Sequence, residues 1–177
     1  GNNCTLSRDT ITSPVGSTPL KMVQSGNDPY THSYSGSIWE LSPAAVGQTW
    51  TVSVWVKASQ SIQIEGCWIA SLDSSGNYLA GGGSPNPTIG TDWVRISGTY
   101  THSNVSTAYV GIRLDGTQTG GSGVTVWWDG LQLEQSSGAS TFNPRTNTNI
   151  STAFDLISSS TGTISGYPSY AVSSLVF

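Results

Sequence analysis

The stretch "VTVWWDGLQLEQ", residues 124–135, decides how this chain folds. Neighbouring side chains of a β-strand point to opposite faces of the sheet. Alternate apolar residues before the glycine therefore share the buried face, and they are Val124, Val126 and Trp128. Trp127 must then point outward. After Gly130 the apolar positions are Leu131 and Leu133, one residue out of phase, and such a slip beside a glycine is typical of a β-bulge.

Other stretches alternate in the same way and extend this pattern to a whole domain. In residues 49–59, "TWTVSVWVKAS", one face carries Trp50, Val52, Val54 and Val56. In residues 107–114 the corresponding face carries Ala108, Val110, Ile112 and Leu114, and in residues 61–65 it carries Ile62 and Ile64. We expect these faces to form the hydrophobic core.

The composition supports an all-β fold. The chain has 177 residues, which is enough for one domain with a proper core. It has 21 glycines and many serines and threonines, and strand-like stretches are separated by turn signals such as "DSSGNY". Regularly spaced strands without intervening helices predict a jelly-roll β-sandwich of two antiparallel sheets.

Several function classes are excluded by the sequence. The net charge of −4, with six Lys plus Arg and no basic cluster, argues against nucleic-acid binding. No apolar run approaches the roughly 20 residues that span a bilayer, so we expect no membrane partner. No nucleophile, metalloprotease, phosphate-loop or dinucleotide motif is present. A glycosidase needs two carboxylates across a cleft, and no pair is readable on one strand face. We therefore expect no enzyme.

Two cysteines, Cys4 and Cys67, give no disulfide framework and lie in no zinc spacing. Two independent thiols and a single disulfide both fit the sequence. The cysteines therefore leave the redox compartment open.

Outward positions of the predicted strands carry the candidate binding residues. They are Trp55, Gln63, Glu65, Tyr109, Arg113 and Trp127. Pyranose rings stack on flat aromatic side chains, and sugar hydroxyls need polar partners, so this set predicts a carbohydrate-binding surface. The alternative is that a loop, the C-terminal arm or a neighbouring subunit covers the outward tryptophans. The strand pattern does not decide whether the six residues share one sheet.

An ordered series of short stretches resembles the jelly-roll carbohydrate-binding modules attached to xylanases and β-glucanases. The series is "VGQTWTVSVWVKAS", "DSSGNYL", "TDWVRISGTYT" and "VWWDGLQLE", and the resemblance covers roughly residues 4–142. The same pattern recurs in tail and appendage proteins of bacteriophages. The resemblance implies two antiparallel sheets and a glycan groove on one sheet or at the loop tips.

The resemblance also implies a structural calcium ion. Its position is matched by Asp129, together with backbone carbonyls of the N-terminal region, and Asp9 is a second candidate. Calcium takes six to eight oxygen ligands, which a bulge with exposed carbonyls can help to supply. The alternative role for Asp129 is that of a carboxylate capping a turn.

The sequence predicts a jelly-roll domain over residues 1–142. It also predicts a Ser/Thr-rich extension over residues 143–177, packed on the sandwich or on a partner chain. The leading hypothesis is a non-catalytic module of an extracellular or virion protein that binds an oligo- or polysaccharide. The alternative is a structural or oligomerising domain of a phage tail or appendage, in contact with other virion proteins or with itself. A glycan-cleaving jelly roll is the third hypothesis.

Overall fold

The computed structural model describes residues 3–16, 18–32 and 41–143, and the backbone of one further strand near the C-terminus. These residues form strands and no helix. The strands are β1 (Cys4–Arg8), β2 (Leu20–Gln24), β3 (Tyr30–His32), β4 (Ser42–Pro43), β5 (Thr49–Ala58), β6 (Ile62–Gln63), β7 (Gly66–Leu72), β8 (Tyr78–Gly82), β9 (Thr88–Ile89), β10 (Val94–Thr101), β11 (Tyr109–Asp115), β12 (Thr125–Glu134) and β13 (Val172–Leu175).

Two antiparallel sheets make up the domain, as predicted for a jelly-roll sandwich. Sheet I has the order β1-β2-β12-β5-β10, with β13 also paired to β12. Sheet II has the order β3-β11-β7-β8, with β4 also paired to β11. The short strands β6 and β9 pair with each other and form a separate two-stranded ribbon. Among the described residues, no helix is long and apolar enough to cross a membrane.

The core lies between the inner faces of the two sheets. Its buried apolar side chains include Trp50, Val52, Val54, Val56, Val126 and Trp128 from sheet I and Cys67, Ile69, Val110, Ile112 and Leu114 from sheet II. Fully burying one such side chain stabilises the fold by about 1.5–3 kcal/mol. The predicted alternation is confirmed on β5, on β12 and at Val110, Ile112 and Leu114 of β11, whereas Ala108 and Ile62 are only half-buried.

The predicted β-bulge is confirmed at the centre of β12. Asp129 pairs with Trp55 and Gln132 pairs with Ser53, so three steps along β12 match two steps along β5. Gly130 is the extra residue and has a φ of 58°, a left-handed conformation that favours glycine. The bulge returns the following leucines to the core and leaves Trp127 on the outer face of sheet I.

Two segments of the chain fold over the outer face of sheet I. Residues 9–16 connect β1 towards β2, and residues 135–143 follow β12. The indole N–H of Trp93 donates to a backbone carbonyl of the first segment at 3.0 Å, and the hydroxyl of Thr51 donates to a carbonyl of the second at 2.9 Å. This outer face is therefore covered by protein in several places.

Both cysteines are free thiols, which resolves the alternative that the sequence left open. Cys67 lies in the core, where burial raises the pKa of its thiol to about 12. Cys4 is half-buried, and burial raises the pKa of its thiol as well. Neither thiol is placed to react readily at neutral pH.

Parts of the sequence prediction fall beyond the described residues. The extension over residues 143–177 is described only at Asn143 and at the backbone of β13. Because β13 pairs with β12 along Leu131–Glu134, this strand of the extension adds to sheet I. The domain boundary at residue 142 stays a prediction.

The bulge can be tested by replacing Gly130 with alanine. A Cβ at this position would lie 2.7 Å from Val15 and 3.1 Å from Trp55, so the substitution combines backbone strain with overpacking. Gly47→Ala is the matched control, because Gly47 also has a positive φ but a Cβ there meets nothing within 4 Å. We expect about 1 kcal/mol of lost unfolding free energy for Gly47→Ala. Gly130→Ala should lose about 1–3 kcal/mol more in urea denaturation. Equal losses would contradict close packing at the bulge.

Candidate functional site

The two tryptophans predicted to bind sugar lie on the outer face of sheet I. Trp55 on β5 and Trp127 on β12 are both half-buried. The indole N–H of Trp127 donates to Asp9 at 2.9 Å, and the ammonium of Lys57 lies 5.2 Å from its ring centroid. The indole nitrogen of Trp55 is buried. These contacts favour the interpretation that the two outward tryptophans pack against other parts of the chain. Sugar stacking by these residues stays a prediction.

Asp129 lies directly beside the bulge and is fully buried. One carboxylate oxygen accepts a hydrogen bond from the hydroxyl of Ser13, and the other accepts from the N–H of Gly130 at 2.8 Å. Burial raises the pKa of Asp129, and these two hydrogen bonds partly offset that effect. Asp129 therefore ties the β1–β2 connection to the bulge, as a capping carboxylate does.

Asp9, the second calcium candidate, lies near Trp127 and Lys21. Its carboxylate accepts the hydrogen bond from Trp127 and lies 3.4 Å from the Lys21 ammonium. The hydrogen bond from Trp127 is the first cause that lowers the pKa of Asp9. Among the described residues, no group of three His, Cys, Asp or Glu side chains surrounds Asp9 or Asp129. Donors of this chain bond to both carboxylates, and the calcium prediction there stays a prediction.

Arg113 organises the outer face of sheet II. It lies on β11, directly opposite His32 on β3 and Trp68 on β7. Its guanidinium carbon is 4.1 Å from the ring centroid of Tyr30 and 4.8 Å from that of Trp68. A guanidinium stacks well on aromatic faces, so Arg113 holds these two rings in place.

Three carboxylates surround the same guanidinium. The Nε atom of Arg113 lies 2.5 Å from Asp115, and Nη2 lies 3.2 Å from Asp28 and 3.8 Å from Glu65. Glu65 also accepts a hydrogen bond from the side-chain amide of Gln118. The face therefore combines aromatic surface with an excess of hydrogen-bond acceptors.

Asp115 is the most buried of these carboxylates, with 1% of the residue exposed. Burial raises its pKa to about 7, although Arg113 lowers it by charge and by hydrogen bonding. Burial, followed by the charge of Arg113, lowers the pKa of the neighbouring His32. The imidazole is therefore readily neutral in this surrounding.

Further aromatic residues on this face were missed by the sequence analysis. Trp68 and Tyr78 meet edge to face with ring centroids 6.3 Å apart, and Tyr30 stacks on His32 at 5.6 Å. The signal for Trp68 was a second change of phase, since Gly66 has a φ of 96° and the residues of β7 that enter the core cluster are Cys67 and Ile69. Reading that slip would have placed Trp68 outward beside Arg113.

The small residues of β8 make room for Trp68. A Cβ on Gly81 would lie 2.8 Å from the indole nitrogen of Trp68 and 2.6 Å from the carbonyl of Ile69. Only a residue without a side chain lets the ring approach β8 this closely. The first three residues of the "AGGGS" stretch, residues 80–84, thus belong to β8 and leave space for the indole ring of Trp68.

Of the remaining predicted residues, Tyr109 lies on the outer face of sheet II and Gln63 lies outside it. Tyr109 lies on β11 and is half-buried, on the same face of sheet II as Arg113. Gln63 lies on the β6–β9 ribbon and is exposed, with its amide donating to the carbonyl of Asn86 at 3.3 Å. The structure thus brings Glu65, Tyr109 and Arg113 to sheet II and places the two tryptophans on sheet I.

Comparison with known proteins identifies the fold. No protein-family profile matches the chain, and no curated protein sequence matches it either. The chain is similar to the CBM22-1 xylan-binding domain of Paenibacillus barcinonensis Xyn10C, with a TM-score of 0.53, 12% identity and coverage of 78% of this chain and 85% of that one. A CBM4 structure matches with a TM-score of 0.51 and 11% identity, over 76% of this chain and 95% of that chain.

A third similar structure is the CBM22-1–GH10 part of Clostridium thermocellum xylanase Xyn10B, in complex with xylohexaose. It has a TM-score of 0.51 and 13% identity, over 76% of this chain and 25% of that chain. At such identities the likeness concerns the fold. The chain therefore has the jelly-roll fold of carbohydrate-binding modules.

Proposed function

We propose that this chain is a non-catalytic glycan-binding module of an extracellular or virion protein and that it binds an oligo- or polysaccharide on the outer face of sheet II. The observation that carries the proposal is the group of aromatic rings around Arg113, formed by Tyr30, Trp68 and Tyr78. The flat rings can stack on the C–H faces of pyranose units, and the carboxylates beside them can accept hydrogen bonds from sugar hydroxyls. The xylan-binding and xylohexaose-bound structures of the same fold support it.

Sheet II is a better candidate than sheet I because, among the described residues, fewer segments lie over its aromatic face. Tyr78 is 50% exposed, and Asp28 beside Arg113 is also exposed. At sheet I, the indole N–H groups of Trp127 on β12 and of Trp93, just before β10, donate to the N-terminal segment of the same chain. A ligand there would have to displace protein.

Binding without catalysis fits the carboxylates on sheet II. A general acid must reach the glycosidic oxygen, but Asp115 is buried and bonded to Arg113. Glu65 is held by Gln118 and by the same guanidinium. We therefore expect the pure protein to release no sugar from the glycans that it binds.

The alternative is a structural or oligomerising domain of a phage tail or appendage. The covered tryptophans of sheet I favour it, since they show that outward aromatic residues of this chain pack on protein. This alternative predicts no retention on any glycan and a molar mass above that of one chain. A glycan array and light scattering on the same sample separate the two.

Replacing Tyr78 with alanine tests the proposed binding face. Because Tyr78 is half-exposed, the variant should fold, and the loss of one stacking ring should weaken glycan binding on the order of tenfold, about 1.4 kcal/mol. The measurement is calorimetric titration with the best glycan from an array. Trp127→Ala is the control from the opposite face and should keep its affinity. Loss of binding in the control alone would move the site to sheet I.

Trp127 should contribute mainly to stability. Trp127→Ala removes a half-buried ring, its contact with Lys57 and its hydrogen bond to Asp9, so we expect a loss of about 2–3 kcal/mol in denaturant unfolding. Trp127→Phe, which keeps a ring but not the N–H donor, should lose about 1 kcal/mol. A change within about 0.5 kcal/mol for Trp127→Ala would mean that the ring is free for a ligand.

A further inference from the structure

The three carboxylates around Arg113 carry more negative charge than the guanidinium balances. Asp28, Glu65 and Asp115 each offer an oxygen, and these oxygens all lie within 4.8 Å of one another. Arg113 is the positive group paired with all three. When the three carboxylates are ionised, two negative charges remain uncompensated, and like charges at this distance repel strongly in a partly buried site.

A second observation points to a missing partner. The Oδ2 atom of Asp115 is buried and has no hydrogen-bond partner among the described residues, although the residue is 1% exposed. The large majority of buried polar atoms have a partner, and an unpaired carboxylate oxygen in such a place is costly. Arg113 engages only the Oδ1 atom of this carboxylate.

We propose that Asp28, Glu65 and Asp115 bind a calcium ion at the edge of the aromatic face of sheet II. Two ligands of one calcium ion can lie at most about 5 Å apart, since each binds at 2.3–2.6 Å, and the three carboxylates satisfy that limit. The ion would supply the absent partner of Asp115 and the missing positive charge.

The donor set selects the kind of ion. All three ligands are carboxylates, which suit hard cations better than zinc or copper, whose sites usually include imidazole or thiolate. Magnesium requires a near-ideal octahedron at 2.0–2.1 Å and gives up its waters reluctantly, whereas calcium accepts irregular sets of six to eight oxygens, so calcium suits a cluster of three carboxylates better. Asp28 is exposed and provides the approach for the ion and for the waters that complete its coordination.

The test uses terbium as a luminescent calcium analogue on the full chain. Tryptophan transfers excitation energy to a bound terbium ion nearby, and Trp68 lies 4.8 Å from the guanidinium carbon at the cluster. Calcium should displace terbium with a dissociation constant of about 0.1–1 mM, the range of extracellular calcium modules. Calcium should also raise the melting temperature, and a chelator should reverse that rise.

Two variants and two controls make the test specific. Asp28→Asn and Glu65→Gln should each weaken calcium binding on the order of tenfold or more, and Asp28 is exposed, so its variant should fold. Asp92→Asn, at another exposed carboxylate, and Asp129→Asn, at the bulge, should leave the affinity unchanged.

Three results would overturn the inference. The first is that calcium fails to displace terbium saturably from the wild type. The second is that Asp92→Asn loses as much calcium affinity as the cluster variants. The third is that only Asp129→Asn loses calcium affinity. The last would place the ion at the bulge, where the family resemblance puts it.

Discussion

The pairing of β12 with β5 is the constraint on which the rest of the structure depends. These two strands form the middle of sheet I, and their register fixes which side chains enter the core. Because side chains alternate with a period of two, an extra residue at Gly130 changes the face of everything after it. The bulge thereby lets Trp128 and Leu131 share the core while Asp129 faces the N-terminal segment. Burial of these apolar side chains outweighs the local strain.

The two outer faces of the sandwich have different chemistry. On sheet I, indole N–H groups and hydroxyls bond to segments of the same chain that lie over the strands. On sheet II, aromatic rings and carboxylates gather around a single guanidinium, and part of this surface stays exposed. One sequence pattern, an outward aromatic residue on a long strand, thus packs under protein segments on one sheet and lies in a partly exposed aromatic face on the other.

The sequence allowed the fold to be predicted because alternation is a local property. The inward set of β5 and the bulge at Gly130 could be read from neighbouring residues alone. The grouping of the site could not, because it depends on which distant strands pair. Trp55 and Arg113 look alike as outward residues of alternating strands, yet they lie on different sheets. Trp68 was missed because the slip at Gly66 reverses the phase set by Ile64.

Arg113 links the aromatic face of sheet II to the carboxylate cluster. Its planar group contacts Tyr30 and Trp68 by its faces and reaches the carboxylates with its edge nitrogens. A lysine carries the same charge but lacks the planar group that stacks on aromatic rings and the several N–H donors at its edge. It could therefore not contact the rings and the carboxylates at the same time. Because the guanidinium donors already face carboxylates, the surface offers acceptors to a ligand more than donors. Neutral sugars, whose hydroxyls donate, match such a surface, whereas acidic sugars would need the proposed cation to offset its excess negative charge.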